Sequence, residues 1–442
     1  MSELQLKSIM QKCGVVGAGG AGFPSYGKLT DGADILLINA VECEPLMYTD
    51  YVLTEEKLGE IVEGMKTIMD FANIANGIFA MKDYRAKSLG LEDGQVLGEG
   101  IRVKWIPNVY PMGDEINLVY QATGRLIQPG TLPITQGVIV YNAETVYNTR
   151  AAVVDGTSVI EKWLTVGGNI PTAYAIKAPV GMRIKDILGA LDVSIPDGHV
   201  VIDGGPSMGA IKNPATDVIT KTTKSLLILP HTAPAVMSKQ RSIEEQIRRA
   251  SSVCCQCTRC TDMCPRNLLG YPIEPHKMIR ATISTAQETP ELIKTASLCC
   301  GCDVCETFAC CQDISPMAII REYKKILAKN KMRYVADPAD PVKVNPDREY
   351  RMLSAEKWKE VLGVAKFDKH PKYISKPLDA SKVEILMSQH IGAPSVPCVS
   401  VGDKVEKGQM IATAGNGLSV PQYASISGNV TVVNDAKIVI EV

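Results

Sequence analysis

Residues 251–267 read SSVCCQCTRCTDMCPRN, with five cysteines inside eleven positions and Pro265 directly after the last. Three chemistries use thiols at this density: a disulfide framework, a zinc clip and an iron–sulfur cluster. Of the fourteen cysteines, eleven fall between Cys254 and Cys311, leaving only Cys13, Cys43 and Cys398 elsewhere. The opening stretch MSELQLKSIMQKCGVVG has no apolar core of signal-peptide length, so export is not expected and the thiols should stay reduced. Clustered thiols in a reducing compartment point to metal.

The spacing then chooses the metal. Cys254, Cys257, Cys260 and Cys264 form C-x2-C-x2-C-x3-C, and the following proline completes a ferredoxin run. A second run starts 45 residues later with Cys299, Cys302 and Cys305, then Cys310. Structural zinc draws on two separated C-x2-C clips, which three equal gaps, repeated, fit poorly. Two-residue gaps wrap the backbone so that three thiolates reach one cubane, while the fourth cysteine, past a turn, aims away. In two-cluster ferredoxins that fourth cysteine ligates the other cluster. The expected sets are therefore Cys254, Cys257, Cys260 and Cys310 for one [4Fe–4S] cluster, and Cys299, Cys302, Cys305 and Cys264 for the other. Cys311 stands where the second proline would be and is the alternative to Cys310. Cys255 and Cys300 read as spare thiols.

Working outward, 442 residues allow about two to four domains. A net charge of -1 with five Phe and three Trp offers neither the basic excess nor the aromatic platform of a nucleic-acid binder. The longest apolar runs, ILLIN and SLLIL, are strand-sized, so no membrane span is expected. Residues 1–157 alternate strand-like runs (DILLINA, IRVKWI, GVIVYNA) with the helical pattern TEEKLGEIVEGMKTIMDFAN, which predicts an α/β layer with a largely parallel sheet. Residues 158–236 show short β-like runs punctuated by Gly and Pro around one helical piece, a small α+β module. Residues 237–345 are helical on both sides of the cysteine runs. A linker is expected over 346–374, and residues 375–442 are β again.

A cluster wire needs an electron donor. GVVGAGGAGFPSYGK contains G-x-G-x-x-G at Gly17, Gly19 and Gly22, but no clear strand precedes it and Pro24 follows where a helix should begin. Glycines at this density permit close backbone approach to a flat or phosphorylated ligand. GAGGAGFPSYGK followed in order by NAVECEP, YPMGDE and NAETVYNT resembles the flavin- and NADH-binding subunit of respiratory complex I and, more closely, the C subunit of Rnf electron-transport complexes. DGGPSMGA and its surroundings resemble the soluble-ligand-binding β-grasp (SLBB) domain of these proteins. HIGAPSVPCVSVGDKVEKGQMIA with ASISGNV resembles a biotinyl/lipoyl-type barrel-sandwich hammerhead, although its hairpin AGNGLSVPQYAS has no lysine to modify. The hammerhead comes last here rather than first. That order, with CPRNLLGYPIEPHKMIR after the first cysteine run, is similar to the cobalamin reductases of propanediol-utilising bacterial microcompartments.

The resemblance implies a multidomain α/β and α+β protein: a complex-I-flavoprotein-like Rossmann-type domain, a β-grasp domain, a helical dicluster ferredoxin domain and a C-terminal hammerhead. It implies FMN held by Gly19, Gly20, Gly22, Lys28, Asn39, Glu42, Tyr110, Gly113, Asn142 and Thr145, and NADH faced by Phe23, Glu44 and Glu115. Val41 and Asp114 replace acidic Asp and Glu of the complex I flavoprotein. Electrons would run from NADH through FMN and two [4Fe–4S] clusters to a corrinoid, in the cytoplasm inside a microcompartment, with a shell protein or a corrinoid adenosyltransferase as partners. The base-off corrinoid signature Asp-x-His-x-x-Gly is absent; DGHVVI places Ile202 at its glycine. A small redox protein, a radical-enzyme activase or an amino-acid reductase as acceptor, and a non-catalytic cluster-carrying adapter, stay open as alternatives.

Overall fold

ILLIN and VIVYN are apolar without alternation, the pattern of strands covered on both faces. In the computed structural model, which describes residues 3–282, 290–337 and 341–442, both lie inside a parallel sheet. Helix α1 (Glu3–Lys12) precedes the glycine loop, and β1 (Ile35–Asn39), α2 (Thr49–Ala72), β2 (Asn76–Lys82), α3 (Asp83–Ser88), β3 (Val96–Gly98) and β4 (Ile101–Ile106) follow. After the two-residue β5 (Val109–Tyr110) come α4 (Glu115–Thr123), β6 (Val138–Asn142) and α5 (Ala143–Val154). The sheet order is β3-β4-β2-β1-β6, parallel except for β3. On α2, Ile61, Met65, Ile68 and Met69 are buried. Its last turn closes on left-handed Asn73, whose N–H reaches Met69 O. Gly64 lets α2 approach α5, since a Cβ there would stand 2.7 Å from Val146 O.

From β1 the chain runs to β2 on one side, while β6 pairs on the other, with Asn39 opposite Asn142 at the strands' carboxyl ends. Such a switch point opens a crevice where ligands bind in open α/β sheets. The G-x-G-x-x-G stretch comes before β1 rather than after it. It is pinned as a loop by the Val16–Pro24 bridge and by Gly17 N–H to Phe23 O at 2.8 Å.

A second sheet comprises β7 (Glu161–Gly168), β8 (Tyr174–Pro179), β9 (His199–Asp203), β10 (Ala210–Lys212) and β11 (Ser225–Pro230), in the order β10-β9-β11-β7-β8. Helix α6 (Ile184–Ala190) buries Ile184, Ile187 and Leu188 in the same core as Leu164, Val166 and Ile176. Helices Ile243–Val253, Pro275–Ala281 and Pro316–Lys329 surround the cysteine loops. Two small sheets of four and three strands between Lys382 and Glu441 make the last unit. Its lysine-free hairpin is docked, with Ser419 O accepting from Gln11 Nε2 and Tyr26 Oη. Among the described residues no helix is long and apolar enough to cross a membrane.

Residues 346–374 are not the expected linker. Leu353–Ser354 pairs with β5, and Lys372–Tyr373 adds a sixth strand beside β8. Between them helix Ala355–Val361, capped by Ser354, buries Trp358 completely. The Trp358 ring stacks on Tyr110 at 4.8 Å and its Nε1 donates to Ser207 Oγ at 3.1 Å. The Pro- and Asp-rich stretch ADPADPVKVNPDREY, which reads as a connector, covers 336–350 and overlaps only the start of this segment.

Three units meet at Lys221. Its Nζ donates to Gly14 O (3.1 Å) and Pro421 O (3.4 Å), and no carboxylate pairs with it among the described residues. Burial pushes its pKa down to about 7, against an unfolded value of about 10.4. Between those two pH values the unfolded chain binds a proton that the folded chain lacks, so this group makes stability rise with pH. At pH 7 its burial costs up to about 4 kcal/mol. Lys221→Met, which also loses two hydrogen bonds, is expected to be about 1–3 kcal/mol more stable at pH 7, with the gain shrinking towards pH 10. Denaturant unfolding at several pH values checks it; a gain that grows with pH would contradict it.

Candidate electron-transfer site

Each cysteine run turns its backbone the same way. Gln256 and Thr258 in the first run, and Gly301 and Asp303 in the second, have positive φ on either side of the middle cysteine. These left-handed turns bring thiols three apart onto one side of the loop. Cys264, Cys299, Cys302 and Cys305 line one small cavity together with Cys300. Burial pushes Cys264 up to about 12 and Cys299 up to about 11, with neighbouring cysteines adding to both. Burial and neighbouring thiols likewise raise Cys305. A second group gathers on Cys260, which burial and the neighbouring Cys310, Cys257 and Cys254 push up to about 12. Thiols become thiolates when a cationic iron cluster sits among them, so each group offers the donor chemistry that a cubane would use. Cys311 reaches this group from outside, its Sγ 3.9 Å from Cys257 and 3.8 Å from Cys255, all three exposed. Cys310 is on the inner side, accepting from Ile314 N–H.

The crevice at the ends of β1 and β6 opens as a cleft of about 180 Å³. Gly19, Asn39, Gly113 and Asn142 line it, and the absence of a side chain at Gly19 leaves the approach to Asn142 open. Asn39 Nδ2 donates to Gly113 O, and Asn142 Nδ2 donates to Asp50 Oδ2 at 2.8 Å. Glu42 accepts from the N–H groups of Asp50 and Tyr51 at the start of α2 and pairs with buried Arg85 at 2.6 Å. Glu44 accepts from Tyr110 Oη (2.9 Å) and Ser207 N–H (2.9 Å). Burial raises the pKa of Glu44. Tyr110 Oη also lies 2.7 Å from Cys302 O, and Cys300 and Cys302 form part of the cleft wall. One loop thus separates the cleft from the second cysteine nest. Asp114 Oδ1 binds Arg266 at 2.6 Å and fastens the cysteine domain across the cleft.

Three family models match the chain. A Nuo51 FMN-binding domain covers residues 10–151, a 4Fe-4S dicluster domain 253–315, and an RnfC barrel sandwich hybrid domain 364–441. The chain is 35% identical over 444 aligned residues to a protein named cobalamin reductase PduS from Salmonella typhimurium, covering 100% of this chain and 97% of that one. This chain belongs to the PduS cobalamin reductase family. The Citrobacter freundii member is 34% identical, over 98% of this chain and 96% of its own. The C component of an ion-translocating oxidoreductase complex from Edwardsiella ictaluri is 30% identical over 59% of this chain and 32% of its own. An NAD+-reducing [NiFe]-hydrogenase structure aligns at 18% identity with a TM-score of 0.47, covering 74% of this chain and 61% of that one. As a family member with these domains, the chain is a flavin- and iron–sulfur-containing oxidoreductase.

The structure divides the residues expected around flavin and nucleotide. Gly19, Asn39, Glu42, Glu44, Gly113 and Asn142 line the cleft, and Gly20 is exposed on the loop beside it. Tyr110 stands behind Glu44. Thr145 is buried and spends its hydroxyl accepting from Ala18 N–H at 2.9 Å, so it holds the glycine loop. Lys28, expected at FMN, and Glu115, expected at NADH, bind each other at 3.0 Å, with Lys28 also donating to Val140 O. Gly22 faces the other domains: a Cβ there would meet Thr222 Cγ2 at 2.7 Å, and its carbonyl accepts from Ile391 N–H. Phe23 packs over Gly27. Resemblance marks a motif without separating residues that touch a ligand from those that hold the loop. Sequence reasoning missed Asp50, Met208, Lys224 and Cys300, which also line the cleft. Met208 and Lys224 arrive from the second sheet, and no local pattern announces that.

Proposed function

We propose that this chain oxidises NADH and reduces a corrinoid, acting as a cobalamin reductase through FMN and two [4Fe–4S] clusters. The observation that carries the reading is the shared wall: Cys300 and Cys302 border both the cleft and the nest of Cys264, Cys299, Cys302 and Cys305. With flavin and clusters bound, the protein would have the means to split a two-electron hydride into single electrons. Gly19, Gly20, Asn39, Gly113 and Asn142 would shape the flavin site, and Glu42 with Arg85 would hold its floor. Tyr110 and Glu44 would fix the loop of Cys302 against it. Phe23 and Glu115 are assigned to NADH by resemblance. The nest of Cys254, Cys257, Cys260 and Cys310, with its exposed edge, is the exit. Family membership supports the corrinoid as acceptor. Placement inside a microcompartment, beside a shell protein or corrinoid adenosyltransferase, extends the same reading.

Anaerobically prepared protein with its clusters should lose absorbance at about 450 nm on adding NADH. It should then reduce cob(III)alamin faster than a flavodoxin. Preference for the flavodoxin would move the acceptor to a redox protein, and a brown protein indifferent to NADH would make it an adapter.

A further inference from the structure

Lys224 lies directly before β11, in a different domain from the flavin sheet, yet it lines the cleft. Only 5% of the residue is exposed. Its Nζ binds Asp50 Oδ1 and lies 3.4 Å from Asn142 Oδ1. Both partners belong to the cleft floor: Asp50 is in the first turn of α2, and Asn142 is the N-cap of α5, accepting from Glu144 N–H. The neighbouring charges pair off separately. Glu42 is held by Arg85, and Glu144 by Lys162, with Lys224 3.8 Å from Glu144 as well. Asp50 also accepts from Asn142 Nδ2 through its other oxygen. The carboxylate is thus anchored without relying wholly on the lysine. A cation this deeply buried is costly, and two small-to-medium residues joined across a domain boundary could be packed with apolar groups instead. What the cleft gains from it is an ammonium, paired with Asp50, that reaches the N-cap of α5 beside Gly19.

We propose that Lys224 is a flavin-binding residue supplied by the β-grasp domain, neutralising a negatively charged group of the bound flavin and coupling flavin occupancy to the docking of that domain. This rests on the flavin reading of the cleft. The anionic group is either the phosphate of FMN or the pyrimidine edge of the ring, which gains negative charge on reduction. Both meet the same ammonium chemistry.

The test compares full-length wild type, Lys224→Arg, Lys224→Met and the double variant Lys224→Met/Asp50→Asn, each stripped of flavin. FMN and riboflavin are titrated separately by quenching of flavin fluorescence, and the flavin midpoint potential is measured in each reloaded protein. The double variant removes the cation without leaving its carboxylate unpaired, so it answers even where Lys224→Met misfolds. Loss of roughly ten- to a hundredfold in FMN affinity, with riboflavin unchanged and Lys224→Arg near wild type, supports the proposal at the phosphate. A potential shifted negative, with both ligands affected alike, supports it at the ring. FMN and riboflavin affinities and the potential all at wild-type values in a folded double variant overturn it. Wild type that binds no FMN overturns the flavin reading instead.

Discussion

Cys264→Ala is expected to empty the nest of the second cysteine run, although Cys264 belongs to the first. The thiol is buried among Cys299, Cys302 and Cys305. Its first-run neighbours Cys254 and Cys257 group with Cys260 and Cys310 on the far side. The variant should lose about half of the iron and labile sulfide, since one of two four-iron clusters goes. NADH should still bleach the flavin, while reduction of an external acceptor falls to the background of free flavin. Combination identifies the partners, because residues that act as a unit are not additive. Cys264→Ala with Cys299→Ala should lose no more iron than either alone. Cys264→Ala with Cys257→Ala should lose nearly all. If Cys264→Ala paired instead with Cys257→Ala as one unit, cross-ligation would be wrong, and with it the order of the two nests between cleft and surface.

Arg85→Met is expected to lower the stability of the flavin domain by about 3–5 kcal/mol, because it leaves a buried carboxylate without its counter-ion. The guanidinium sits at 2.6 Å from Glu42 Oε2, donates to Met47 O at 2.8 Å and lies over the Tyr48 ring at 4.7 Å. Both side chains of the pair are almost fully buried, at 6% and 1% exposure, so solvent screens little of the interaction. Glu42 in turn satisfies two amides at the start of α2, where a negative charge is favoured. Flavin retention should fall with stability, since Glu42 and Asp50 lie in the cleft floor. Arg85→Met combined with Glu42→Gln should recover most of the loss, because the neutral amide keeps an acceptor for the helix amides without a stranded charge. Denaturant unfolding followed by tryptophan fluorescence measures this. A cost below about 1 kcal/mol for Arg85→Met would mean that the pair is not a structural element of the site.

Much of the site was legible because its signals are local. Cysteine spacing is a one-dimensional property, since loops that wrap a cubane must place their ligands at short, regular gaps. ILLIN and VIVYN read as buried strands because both faces are covered by the same chain, and α2 showed its buried stripe in Ile61, Met65 and Ile68. Residues 346–374 misled because their elements are short. Two two-residue strands and a seven-residue helix give little period to detect, and Leu353, Trp358, Leu362, Val364 and Phe367 join the core through distant partners such as Tyr110.

The amino-acid order by itself determined that thiols come in two ferredoxin-type runs, that glycine, acidic and asparagine motifs follow one another in a flavoprotein's order, and that the strands alternate with helices. Tertiary structure alone decided which of those residues share a space. It set Cys300 and Cys302 on the wall of the cleft, gave Thr145, Lys28 and Gly22 partners within the protein, and brought Lys224 in from another domain. The reason is that contact across a domain boundary depends on how two separately folded surfaces dock. Residues 82 positions apart, such as Asn142 and Lys224, carry no trace of that meeting in their own neighbourhoods.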